Sequence, residues 1–510
     1  MLSKVTSYGI SGLDAYAVTI EIDISRGLPA TIIVGLPDNA IRESKERVRS
    51  AIKNSGYQFG PKRITINLSP ADIKKEGPSY DLAIALGILA STDQINAKHL
   101  NEYGILGELS LDGHIQPVRG TLPVTLAILK SNLKGLILPF ANAQEAAIAK
   151  NVKIYPMKTL NEAISFLNDP GNIRSYQIDD SKFISKPPDH DIDFSDVQGQ
   201  AHVKRGLEIA ASGNHNILLI GPPGSGKSML AKRLPTILPD MSMSESLETT
   251  KIHSVMGLLS NDLGIVSSRP FRSPHHTTSD VAIVGGGSIP KPGEVTLSHN
   301  GILFMDELPE FNRNVLESLR QPLEDCYVTI ARASKSVRFP SKFMLVCAMN
   351  PCPCGYYTDA KKECHCTPSQ IQRYMSKISG PLLDRIDLHL EVPSLPSTDL
   401  LTDTPAESSQ KIKERIIKAR SVQKQRFLHA SIVANGHMSH RQIKEFCVLD
   451  EEGRKLLKMA IDELGLSARA YDKVLKVART IADLADEENI GSAHIAEAIQ
   501  YRSLDRSWWG

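Results

Sequence analysis

The sequence predicts an α/β protein in three parts. A small α+β domain spans residues 1–168, an α/β core spans 194–393 and a helical domain spans 394–510, with a linker at 169–193. Three observations predict this. The apolar run Asn216-Ile217-Leu218-Leu219-Ile220 passes through a glycine-rich loop into Met229-Leu230-Ala231-Lys232-Arg233-Leu234, a strand–loop–helix order. Val18–Ile24 and Arg63–Leu68 alternate at period two, while Asn39–Asn54 between them carries Ile41, Val48, Ala51 and Ile52 at helical spacing. From Ser394 onward the pattern is helical, apart from a polar stretch near Pro405.

The totals agree with several domains. A chain of 510 residues exceeds one ordinary core, and 41% apolar with 23% charged residues is the composition of a globular protein. No apolar run reaches membrane-spanning length and no basic-then-apolar leader opens the chain, so a cytoplasmic location without membrane partners is expected. Net charge is +2, so any surface for nucleic acid must be local. The linker is read from Asp169-Pro170-Gly171 and Lys186-Pro187-Pro188-Asp189-His190-Asp191.

The loop Gly221-Pro222-Pro223-Gly224-Ser225-Gly226-Lys227-Ser228 fits G-x-x-x-x-G-K-[ST] in its required context. Its glycines let backbone N–H groups turn towards phosphate oxygens at a helix N-terminus. Lys227 suits the β- and γ-phosphates, and Ser228 suits Mg²⁺. About eighty residues on, the apolar Gly301-Ile302-Leu303-Phe304-Met305 ends in Asp306 and Glu307. Asp306 suits Mg²⁺, and Glu307 suits polarisation of an attacking water. A third apolar strand, Phe343–Met349, ends at Asn350, whose amide suits holding that water; a plain strand-end turn before Pro351 is the other reading. Arg385 in Leu382-Leu383-Asp384-Arg385, and Arg469 at the start of a later helix, are permanent charges suited to phosphate or to surface ion pairs.

Four cysteines, Cys352, Cys354, Cys364 and Cys366, crowd one loop, 350–367. Two such pairs close a tetrahedral thiolate site for structural Zn²⁺; free thiols or a redox pair are the alternatives, and His365 is a possible replacement ligand. Four protein ligands leave no open position for catalysis. Tyr327–Arg332 and Ser336–Phe339 read as hairpin arms with Ala333-Ser334-Lys335 at the tip, and Arg332, Lys335 and Arg338 form a basic cluster suited to phosphates. His275 and His276 receive no role.

The order of these motifs resembles an AAA+ ATPase. Within that class, Phe271-Arg272-Ser273-Pro274-His275-His276, Gly285-Gly286-Gly287, Pro292-Gly293-Glu294 and Asn350-Pro351-Cys352-Pro353-Cys354-Gly355 are similar to the magnesium-chelatase-like ComM/YifB family, over essentially the whole chain. The resemblance implies a Lon-protease-like (ribosomal S5 domain 2-like) N-terminal domain, a central AAA+ P-loop domain and a C-terminal helical lid. It implies Glu307 as catalytic base, Asn350 as sensor 1, Arg385 as arginine finger and Arg469 as sensor 2, with ATP and Mg²⁺ at the interfaces of a hexameric ring. It further implies a DNA motor, a branch-migration helicase acting with recombination proteins during natural transformation. Two alternatives stand beside it, a chelatase-like ATPase that remodels a partner protein and an ATP-dependent Lon-like protease. Against the protease, Lys75-Glu76-Gly77-Pro78-Ser79-Tyr80-Asp81 resembles the Lon nucleophile segment, but Leu122 stands where its catalytic lysine would be. Ser79 is therefore expected to cap a helix.

Overall fold

A computed structural model describes residues 2–177, 191–259, 264–287, 289–332, 335–357, 359, 361–394, 406–430, 432–464 and 467–502. It separates into two compact units, one made of 1–186 with 243–267 and the other of 187–242 with 268–510.

In the first unit, seven strands form a mixed sheet in the order Ala30–Val34, Arg63–Ser69, Asp14–Ser25, Leu2–Ser11, Tyr103–Ile105, Gly135–Pro139 and Ile154–Met157. Leu2–Ser11 and Asp14–Ser25 pair antiparallel, whereas the last three strands run parallel. The alternating burial of Arg63–Ser69 puts Ile64, Ile66 and Leu68 into the core, as period two requires. Helix Asn39–Asn54 is opened by Asp38, whose carboxylate accepts the Ile41 N–H at 2.8 Å, and it buries Ile41, Ser44, Val48, Ala51 and Ile52. Helix Asp81–Ser91 is buried on every face, in keeping with the absence of polar residues between Asp81 and Ser91.

Residues 243–267 leave the continuous core predicted over 194–393 and pack into this first unit. Helix Met243–Met256 lies on helix Thr121–Ile128, where Leu122, Ile148, Ala149 and Ile265 form a small apolar cluster flanked by Leu126 and Leu247. The Gly120 N–H donates to the Ser254 carbonyl at 3.1 Å, and Ser254 Oγ donates to Glu145 Oε1 at 2.5 Å. Lys251 meets Asp14 at 2.6 Å.

The second unit holds a five-stranded parallel sheet in the order Phe271–Arg272, Ile302–Met305, Met344–Met349, Ile217–Ile220 and Leu388–Glu391. Ile217–Ile220, Ile302–Met305 and Met344–Met349 are wholly buried, the near-continuous apolar reading of a sheet covered on both faces. Ile217–Ile220 lies where the strand order reverses, the place where open α/β sheets bind ligands beyond their strand ends. Helices Ser409–Arg426, His440–Phe446, Glu451–Leu464, Ala468–Leu484 and Ser492–Gln500 follow the sheet. Ile412, Ile416, Val474, Ala478 and Ile481 belong to the same apolar core as Leu207, Leu219 and Leu234, so helices and sheet share one core.

Candidate nucleotide site and cysteine cluster

The glycine-rich loop joins strand Ile217–Ile220 to helix Lys227–Ile237, with Gly224 and Gly226 at φ 78° and 90°, where a side chain would be strained. Lys227 Nζ donates to the carbonyls of Gly221 at 2.7 Å and Pro222 at 2.9 Å, and to Asn350 Oδ1 at 3.2 Å. Burial pulls its ammonium down to about 8, against the attraction of Asp306. A buried cation held by carbonyls awaits an anionic partner, which is what a phosphate supplies. Ser228 Oγ donates to Asp306 Oδ2 at 2.6 Å, bringing a hydroxyl and a carboxylate together as a hard-cation donor pair. The structure thus brings Lys227, Ser228, Asp306 and Asn350 into one cluster from three adjacent strands, and this donor set fits a Mg²⁺-bound triphosphate.

Glu307 sits at φ 54° just past strand Ile302–Met305, and its backbone N–H donates to Asp306 Oδ1 at 3.0 Å. Its carboxylate is 58% exposed and meets His276 Nδ1 at 3.1 Å. The His276 ring is held by stacking on His275, with centroids 4.1 Å apart, and by an edge contact with Phe311 at 6.4 Å. Sequence reading gave His276 no role. The only available signal was its position shortly after a strand, Phe271–Arg272, that proves to be parallel to Ile302–Met305.

Arg385 does not reach this cluster. Its guanidinium bonds the Pro381 carbonyl at 2.5 Å and pairs with Glu324. Its own carbonyl accepts from Asn216 Nδ2 at 3.0 Å and Lys473 Nζ at 3.3 Å. Arg469, in the first turn of helix Ala468–Leu484, is exposed and lies 3.9 Å from Asp384. That helix also carries Lys473, which pairs with buried Asp387, and Thr480, which bonds His215 Nε2 at 2.8 Å.

The four predicted cysteines converge. Their ligand atoms all lie within 4.8 Å of one another, with Sγ···Sγ distances of 3.3 Å for Cys352–Cys354, 3.7 Å for Cys352–Cys364 and 3.6 Å for Cys354–Cys364. A tetrahedron of Zn–S bonds of about 2.3 Å places sulfurs roughly 3.8 Å apart, so the cluster fits a thiolate-bound metal. Cys352 also accepts backbone N–H groups from Gly355 at 3.2 Å and Tyr357 at 3.3 Å, the support a thiolate requires. Hydrogen bonding to the backbone of Tyr356 draws the Cys354 thiol below its ordinary range.

Strands Tyr327–Arg332 and Lys335–Pro340 form the predicted hairpin, but Lys335 pairs with Arg332 and so belongs to the second arm rather than the tip. Residues 333–334 and the side chains of Arg332 and Lys335 lie outside the described residues. The Arg338 guanidinium stacks over Tyr327, 4.8 Å from the ring centre.

In the N-terminal unit Ser79 is not a cap. Helix Asp81–Ser91 begins after Tyr80 without a side-chain cap, and the Ser79 carbonyl is instead taken by the Gly107 N–H at 2.9 Å. Asp81 meets Arg47 at 2.8 Å, so the first-turn carboxylate is already committed. Leu122 is fully buried, so position 122 offers no base to a serine.

Comparison with known proteins covers nearly all of the chain. Residues 193–400 match the family model "Magnesium chelatase, subunit ChlI", 20–142 match "Subunit ChlI of Mg-chelatase", and 406–502 match "Magnesium chelatase, subunit ChlI C-terminal". Competence protein ComM of Haemophilus influenzae is 44% identical over 509 residues, covering 99% of this chain and 98% of the relative. The uncharacterized protein YifB of Escherichia coli is 43% identical over 507 residues, again covering 99% and 98%. Lon protease 2 of Bacillus subtilis is 31% identical over 144 residues, which is 27% of this chain and 25% of that protein.

Proposed function

Because this chain belongs to the ComM/YifB family of magnesium-chelatase-like AAA+ ATPases, we propose that it is an ATP-driven motor acting on branched or single-stranded DNA. The observation that carries the ATPase part is the Lys227–Asn350 and Ser228–Asp306 cluster at the switch point of the parallel sheet. Mg²⁺·ATP supplies the phosphoanhydride that is broken. Lys227 would hold phosphate charge, Ser228 and Asp306 would hold the metal, and Asn350 would orient the attacking water. Glu307 takes that water's proton, with one carboxylate oxygen on His276 and the other available to the water. Arg385 and Arg469 act towards phosphate in a ring of subunits, six by family resemblance, with Arg385 serving a neighbour. The four cysteines hold a structural Zn²⁺.

DNA is supported by the Haemophilus relative's being a competence protein and by the hairpin strands Tyr327–Arg332 and Lys335–Pro340, where Arg338, paired with Thr329, reaches diagonally over the Tyr327 ring. A ring presenting such hairpins follows phosphates without reading sequence, as branch migration during natural transformation requires. The magnesium-chelatase family models favour a second reading, remodelling of a partner protein. Phosphate release by the purified protein separates the two. Forked DNA should raise ATP turnover several-fold, with a gain that fades as salt rises. Turnover indifferent to forked and single-stranded DNA, with no gel shift of either, refutes the DNA motor. In Glu307→Gln, ATP should still bind while turnover falls about 100-fold or more.

A further inference from the structure

Two features of the second unit meet at a place neither motif announces. The cysteine loop leaves the strand end at Asn350, whose amide touches Lys227, and reaches Cys352, fully buried, two residues later. It then folds back, so that Gly355 lies directly on the phosphate loop. A Cβ built on Gly355 would stand 2.6 Å from Cδ and 2.7 Å from Cγ of Pro223, and 3.8 Å from Cγ of Asn350. Gly355 also holds φ 87°, a left-handed conformation that only glycine adopts without strain. Its N–H is shared between the Cys352 carbonyl at 3.0 Å and Cys352 Sγ at 3.2 Å. The cysteine that would bind metal thus holds, through its sulfur and its carbonyl, the residue that walls the phosphate loop.

A second contact closes the same arrangement. Helix Pro368–Met375 begins just past Cys366, with Thr367 as its cap, and carries Tyr374. Burial, then the Glu310 carboxylate, push the Tyr374 phenol above its ordinary range, and its hydroxyl lies on the Asn350 backbone. Asn350 is therefore held from both ends of the cysteine loop, by its covalent link to Cys352 and by Tyr374 beyond Cys366.

We infer that the four-cysteine loop is a metal-dependent brace of the nucleotide site, in which thiolate-bound Zn²⁺ fixes Asn350 and seats Gly355 against Pro223. This rests on the zinc reading given above. Between Cys354 and Cys364 the chain runs through nine residues rich in polar side chains, which cannot build a core of their own. Without the metal four sulfurs no longer hold the loop closed, and the Pro223 wall and the Asn350 amide lose their fixed places. ATP then meets a looser phosphate loop, and binding weakens along with turnover.

The full-length protein tests this with three quantities measured in parallel: zinc by atomic emission, equilibrium binding of a fluorescent non-hydrolysable ATP analogue, and phosphate release. The wild type should carry about one Zn²⁺ per chain. Removal of Zn²⁺ by a chelator should weaken analogue binding about tenfold and be reversed by added Zn²⁺. Cys354→Ser should lose both zinc and affinity, with circular dichroism reporting whether the remaining fold persists. Gly355→Ala keeps all four sulfurs, so it should retain zinc yet lose affinity by a similar factor. Zinc-free protein that keeps its helical signal and binds the analogue like the wild type refutes the brace while leaving the zinc site standing. Wild-type affinity in Gly355→Ala refutes the contact through which the brace acts. A wild type that carries no zinc and gains no affinity from added Zn²⁺ refutes site and brace together.

Discussion

Raising pH should weaken ATP binding through a single group, Lys227. The residue is 8% exposed, and its ammonium is pulled down to about 8 because burial outweighs the attraction of Asp306. Triphosphate beside it favours the charged form, so the bound complex keeps its proton well above that value. Below pH 8 free and bound protein are both charged, and affinity is flat. Above it, binding must first return a proton, and each pH unit costs about tenfold in affinity, ~1.4 kcal/mol. The phosphate's own last ionisation, near about pH 6, is over before this window opens. Titrating a fluorescent ATP analogue at constant ionic strength between about pH 7 and 9.5 should therefore give a bend near 8 and roughly a tenfold loss by pH 9. Calorimetry at about pH 8.5 in buffers of different ionisation enthalpy should register uptake of about three quarters of a proton. Lys227→Ala should bind weakly with no bend. Wild-type affinity flat across the range, or proton release on binding, would refute the assignment of Lys227 as a partly neutral, buried phosphate ligand.

Two further predictions concern one exposed pair and one buried pair. His276→Ala should lower kcat about tenfold with KM for ATP little changed, because an exposed carboxylate loses its orientation while phosphate contacts survive. His276→Gln restores a donor and should recover part of the loss, and His276→Ala should cost nothing more in a Glu307→Gln background; additive losses there would show that His276 acts elsewhere. Asp387→Asn should destabilise the second unit by about 3–5 kcal/mol in urea, because Lys473 and His215 would be left facing a neutral amide in a buried site. Burial works to raise the Asp387 carboxyl, yet Lys473 and then His215 hold it below its ordinary range. Its stabilisation is therefore present above the unfolded carboxyl value and is lost as pH falls towards the depressed one. The variant should accordingly lose less stability on acidification than the wild type, and equal acid sensitivity would count against the pair.

What the sequence made legible is what local spacing controls. Period two put Ile64, Ile66 and Leu68 in the core, and helical spacing put Ile41, Val48, Ala51 and Ile52 on one buried face. The phosphate loop was legible because strand, glycines, Lys227 and helix are contiguous. The His276–Glu307 contact was not, because it depends on two strands lying side by side, which no spacing encodes. Ser79 misled for the opposite reason, since its sequence looks like a cap while Tyr80 opens the helix and the Ser79 carbonyl is claimed by Gly107. Residues 243–267 were assigned to the core by continuity alone. Their apolar contributions, Leu247 and Ile265, complete a cluster with Leu122 and Ile148 far back in the chain, and such complementarity is visible only once both faces exist.

Arg385 shows how a side chain proposed to act on a neighbouring subunit can be stored within its own. Its backbone is pinned by Asn216 and Lys473 through one carbonyl, so the residue stays in place whatever its guanidinium does. The side chain is held by Glu324, whose carboxylate is 51% exposed. An ion pair with one partner so open to water contributes only about 0–1 kcal/mol net. Charge-assisted bonds from arginine to phosphate are roughly twice as strong as neutral ones, and can be bidentate. Exchange of Glu324 for a neighbour's phosphate is thus inexpensive for the arginine and favourable once the phosphate is present. On the proposed reading, this arginine is kept out of solution in the single chain and released by a partner's nucleotide, with the helix bearing Lys473 and Arg469 fixed to the same segment.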